Sequence, residues 1–151
     1  MAGNPKKKST GIVNAAIGAL AVVLAILIVW MMNLVSGIQG TARIINYAGL
    51  VRGKTQRIVK LEISGQPQDG MIADIDAFID GLRFGSDELS LVRLNDDAFQ
   101  RKMQELDDYF QALKQEIGRV RAVGSNNTDI IPISETFFGI CDDATGLAEA
   151  Y

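Results

Sequence analysis

The chain has 151 residues, 15 Lys and Arg against 18 Asp and Glu, a formal net charge of −3, no His and one Cys. Without imidazole there is no Ser-His or Cys-His couple, no His metal ligand and no phospho-accepting His. With one Cys there is no internal disulfide, zinc knuckle or thiol pair, and the length suits roughly one domain of ordinary size.

After Lys6, Lys7 and Lys8 no charge occurs before Arg43, and residues 11–34 are apolar or small except Asn14 and Asn33. About 20 such residues, at a rise of ~1.5 Å each, cover a hydrocarbon core of roughly 30 Å. Trp30 stands near one end as an interfacial anchor would. The run exceeds the roughly 7–15-residue core of a cleaved signal peptide, and no clean A-x-A site follows. It also lacks the acid that pilin helices carry inside their apolar run. The pattern predicts a transmembrane helix over 11–35 in the inner or plasma membrane. Residues 1–10 then lie in the cytoplasm and 36–151 outside it, because the Lys cluster marks the inner side.

The outer part reads as all helix. Ile72, Ile75, Ile79 and Leu82 form one stripe over 71–82, after a turn in which Asp69 could cap the helix. Over 95–122, Phe99, Met103, Leu106, Phe110, Leu113, Ile117 and Val120 step by four and three, a heptad seam that Gly124 and Ser125-Asn126-Asn127 stop. Phe137, Cys141, Ala144, Ala148 and Tyr151 repeat the step, so Cys141 reads as a small core residue. The fold expected is all-α, one N-terminal transmembrane helix followed by an antiparallel four-helix bundle. The fourth helix runs to the last residue without a cap, which predicts a truncation before a second membrane span. Asp96-Asp97 and Asp107-Asp108 are read as pairs on a solvated face, since adjacent residues point about 100° apart. No catalytic residue, metal site or nucleic-acid partner is expected.

Residues 41–64 carry Arg43, Arg52, Lys54, Arg57 and Lys60 against Glu62, a net +4, whereas residues 65–151 carry 7 bases and 17 acids. One cationic helix therefore sits in an acidic domain. A projection at ~100° per residue puts Ile44, Tyr47, Val51 and Ile58, flanked by Leu50 and Leu61, on an inner stripe. Another face holds Ile45, Gly49, Arg52, Gly53, Gln56 and Ile63. Two glycines in a helix interior each cost about 1 kcal/mol relative to Ala, which makes sense where another backbone comes close. A single span continuing into a bundle favours parallel pairing with a second copy. Arg52 would then face its symmetry mate. Two charges ~4 Å apart at an effective dielectric near 20 repel by roughly 4 kcal/mol, so an anion between them is called for. The guanidinium fork suits a planar oxyanion, and Gln56 one turn on adds a donor. The alternative partner for Arg52 is an acid of its own domain. Lys54 and Lys60 read as solvated.

The run Ile45-Asn46-Tyr47-Ala48-Gly49-Leu50-Val51-Arg52-Gly53-Lys54-Thr55-Gln56-Arg57 resembles the P-box of membrane nitrate/nitrite sensors, an I-N-x-A-G-x-x-R-x-x-(S/T)-x-R pattern just outside the first membrane helix. From about residue 11 onward the chain is similar to the PilJ-type (type IV pili methyl-accepting chemotaxis) N-terminal sensory domain of chemoreceptors, sensor kinases and cyclic-di-GMP enzymes. Lys114-Gln115-Glu116-Ile117 and Ser134-Glu135-Thr136-Phe137-Phe138 add to the likeness. The resemblance implies a homodimer in which the first P-box Arg of each subunit, matching Arg52, grips one nitrate. Arg57 matches the second Arg in a supporting role. Gly53 stands where Met is commoner, and Tyr47, Leu50, Lys54 and Gln56 are variable positions.

The site expected from residues and resemblance together is Arg52, Arg57, Gly49, Gly53, Gln56 and Asn46, with nitrate or nitrite as ligand, no cofactor, and cytoplasmic output domains absent from this chain. The competing expectation is a helical module that dimerises or senses a protein partner, in which Arg52 is paired internally and the glycines serve packing alone.

Overall fold

A computed structural model of the protein describes residues 5–150, the side chains of 5–10, 12 and 36–38 excepted. Four α-helices follow one another: α1 (Pro5–Ile63), α2 (Asp69–Phe84), α3 (Asp97–Val123) and α4 (Ile130–Glu149), with one 3-10 turn at Ser125–Asn127. Among the described residues there is no named strand, only an isolated bridge between Ser86 and Leu91. The expected all-α architecture is therefore present, and the Tyr151 end of the predicted fourth seam lies outside the described residues.

The chain divides into two compact units, Met1–Gln39 and Gly40–Tyr151. In the first, α1 supplies a segment long and apolar enough to cross a membrane, with a mean hydropathy of 2.7 over its best window. Its large side chains have no core to enter: Leu20 is 61% and Trp30 65% exposed. A soluble helix with such a surface would aggregate, and lipid is the solvent that suits it.

The second unit is the bundle. On α1, Ile44, Ala48, Val51, Thr55, Ile58 and Glu62 are all buried, stepping by four and three. The helix then stops at Gly65, whose φ of +75° suits glycine. Gly65 N–H donates to Glu62 O at 3.0 Å and Gln66 N–H to Leu61 O at 2.9 Å, the Schellman pattern of a helix end. Asp69, expected as a cap, is instead the first residue of α2 and pairs with Arg121 at 2.8 Å. Gly81 of α2 is packed so closely by the following loop that a Cβ would lie 3.0 Å from Leu89 and Leu91 side chains. Asp96 caps α3 by accepting from Phe99 N–H at 2.7 Å, and all seven residues of the predicted α3 seam are buried. Asp107, expected on a solvated face, instead accepts from Arg83 of α2.

Side-chain contacts across the bundle run in opposite senses along neighbouring helices. Asp76 and Arg83 of α2 meet Lys114 and Asp107 of α3, and Lys102 and Phe110 of α3 meet Asp143 and Phe137 of α4. Such pairing makes α2/α3 and α3/α4 antiparallel. The α1–α2 turn is tied down by Glu62, whose side chain is 1% exposed and accepts from Arg121 Nε at 2.9 Å and Nη2 at 2.6 Å, and from Gln68 N–H at 2.8 Å. Three donors on one buried carboxylate offset its desolvation. At the other turn Glu116 plays a similar part, accepting from Asp129 N–H, at the start of α4, at 3.0 Å.

Thr55 departs from this rule, since it is fully buried and its hydroxyl has no hydrogen-bond partner among the described residues. An unsatisfied buried hydroxyl costs about 1–3 kcal/mol. Thr55→Val keeps the shape and removes that group, so thermal unfolding followed by circular dichroism should report a gain of about 1 kcal/mol. A loss of stability would mean the hydroxyl is bonded in solution.

Candidate anion-binding site

The six predicted site residues lie on the part of α1 that belongs to the second unit, and all are exposed: Asn46, Gly49, Arg52, Gly53, Gln56 and Arg57. They flank the buried stripe because that stripe occupies only one side of the helix. Gly49 and Gly53 have open space where a Cβ would stand, with nothing within 4 Å of either. No neighbour within the bundle accounts for their being glycine. Ile45, expected on this face, is half-buried and packs on the core instead.

Arg52 is not free in the chain. Its Nη1 lies 2.6 Å from Oδ1 of Asp142 on α4, with the two side chains 46% and 55% exposed. The acid of its own domain, left open by the sequence, is therefore the partner seen. Arg57 and Lys60 make no ion pair among the described residues, and both are exposed. Arg57 stands about 140° round the helix from Arg52, so the two guanidinium groups of one chain diverge. They do not converge on a single ion. Gln56 lies one turn from Arg52 and also lines a cleft of about 380 Å³ with Lys60, Ser64, Ser134, Glu135 and Phe138.

Lys54, expected to be solvated, is instead half-buried. Its Nζ lies 2.6 Å from Asp74 and 4.9 Å from the Phe78 ring, so it ties α1 to α2. Tyr47 meets the same ring edge-on at 4.9 Å. Lys54 is thereby withdrawn from any site on the outer face, which leaves Arg52 and Arg57 as the exposed cations flanking the two glycines.

Asp142 was missed by sequence reasoning. It flanks the Phe137, Cys141, Ala144 seam, where a carboxylate reads as a solvated neighbour, and no periodicity reveals which residue of α1 lies across from it. Among the described residues no group of three or more Cys, Asp or Glu side chains is placed to hold a metal ion.

No protein-family model matches the sequence, and no curated protein does. A solved structure is similar: the ligand-binding domain of the nitrate receptor McpN of P. aeruginosa superposes with a TM-score of 0.63 at 18% identity, covering 72% of this chain and 94% of that one. At that identity the likeness is one of fold. The helical bundle here is thus of the kind that a receptor ligand-binding domain uses.

Cys141 adjoins the pair and is buried. Burial first, and then the charge of Asp142, push its thiol up to about 12, with Arg52 opposing. Only the thiolate is nucleophilic. Iodoacetamide at pH 8 should therefore leave the folded protein unlabelled and modify Cys141 once guanidinium unfolds it. Equal labelling rates in both conditions would show that the α4 seam is open at this point.

Proposed function

We propose that the chain is the extracytoplasmic signal-input part of a bacterial transmembrane receptor, coupled to cytoplasmic output domains, and that it binds nitrate or nitrite between Arg52 of two copies. The observation that carries the reading is the outer face of α1: two exposed glycines one turn apart, with open space beyond them and Arg52 next to them. Close approach of a second helix would use both glycines and bring two guanidinium groups together, and a planar oxyanion between them relieves the repulsion. The P-box-like spacing and the fold shared with a nitrate receptor's ligand-binding domain support the same reading.

The mechanism is differential binding. An anion held by both copies favours one placement of the two first helices, and each chain continues from there into its apolar segment, so the change is passed toward the membrane. By linkage, the output domains bias anion affinity in return. The Arg52–Asp142 pair favours a second reading, a module that dimerises or meets a protein partner, with Arg52 satisfied inside the chain. Such a half-exposed pair contributes only about 0–1 kcal/mol, so it does not bar a ligand.

Isothermal titration calorimetry of the full chain in detergent separates the two. Sodium nitrate or nitrite should give heat with wild type, and Arg52→Ala should weaken binding at least ~10-fold, the effect of losing a charge-assisted contact. No heat with either anion, together with intact self-association, is the result the second reading requires.

The glycines give an independent check. Gly49→Ala with Gly53→Ala meets nothing inside the bundle and improves helix propensity by up to about 1 kcal/mol per site. The thermal midpoint of dilute protein should rise while sedimentation equilibrium in detergent shows weaker self-association. Unchanged association would remove this face as the contact between copies.

A further inference from the structure

Arg52 is held by Asp142 across the α1–α4 contact, and α4 places its two adjacent acids differently. Asp142 meets Arg52 at 2.6 Å, whereas Asp143 accepts from Lys102 of α3 at 3.2 Å, and Lys102 is also 2.7 Å from Glu105. Residues next to each other on a helix point about 100° apart, so one acid serves each neighbouring helix. Asp142 alone of the two meets a cation of the glycine-bearing face. A carboxylate is itself a planar oxyanion that can fill a guanidinium fork. It offers Arg52 the same chemistry as nitrate.

We infer that Asp142 is a built-in competitor for the anion site, occupying Arg52 in the anion-free state and displaced when an oxyanion binds. This rests on the anion reading above and adds to it the group that sets affinity. The exposure of the pair suits the role: a solvent-exposed ion pair shifts an equilibrium by no more than about fivefold, so a ligand can exchange with it. Binding would also release α4 from Arg52, and α4 therefore takes part in the change alongside α1.

The test is calorimetry of the full chain in detergent with sodium nitrate, ionic strength being held with sodium chloride. Wild type, Asp142→Asn and Asp143→Asn are compared. Asp142→Asn keeps the shape and removes the charge, so nitrate should bind between about 2- and 30-fold tighter, because two pairs open per anion. Asp143→Asn, the same change in net charge, should leave affinity within about twofold. Unchanged or weaker binding in Asp142→Asn, with wild type binding and Arg52→Ala not, overturns the competitor and leaves the anion site standing. An equal gain in both variants assigns the effect to net charge and also overturns it. No heat in wild type and Asp142→Asn alike overturns the anion site and the competitor together.

Discussion

Charge complementarity between α1 and the acid-rich helices beside it decides which polar contacts tie α1 into the bundle. The second-unit part of α1 carries five cations and one acid, while α2 has four acids and one base and α4 has four acids and no base. The cations of α1 accordingly pair outward, Lys54 with Asp74 of α2 and Arg52 with Asp142 of α4. The single acid, Glu62, is the exception in both sign and depth, buried and held by Arg121 of α3. Two kinds of contact result. The one on the buried Glu62 carboxylate ties down the α1–α2 turn, and the Arg52–Asp142 pair, half-exposed on both sides, is weak and exchangeable.

Most of this architecture follows from spacing alone. The α3 seam is readable because seven large apolar residues recur at four and three, and nothing else satisfies so long a run. The α1 seam is only half legible from hydrophobicity, since Ala48, Thr55 and Glu62 occupy seam positions without being large and apolar, and Tyr47, beside the seam, is only half-buried. A positional rule, 44, 48, 51, 55, 58, 62, finds them where a hydrophobicity rule does not. The glycines and cations of the outer face were legible for the same reason, as residues out of place on a solvated helix. The partner of Arg52 was not, because it depends on the stagger between α1 and α4, and helical periods are blind to stagger. Lys54 shows the same limit: its aliphatic stem and charge are both used, one on Phe78 and the other on Asp74.

The contrast between contacts also constrains what a ligand could move. Allosteric coupling free energies are typically about 1–3 kcal/mol. The Glu62 carboxylate is buried and holds three donors, so leaving it unpaired costs more than a small anion supplies, as does repacking the seams. Exchanging one exposed guanidinium partner for another lies within its range. Any response at Arg52 must therefore leave the buried stripe of α1 and its distal anchor in place and act on the outer face, where Gly49 and Gly53 leave room beside the helix. In the proposed pair of copies, a displacement of the two first helices against each other, with α4 freed at Asp142, meets that condition, and a repacking of the buried seams does not.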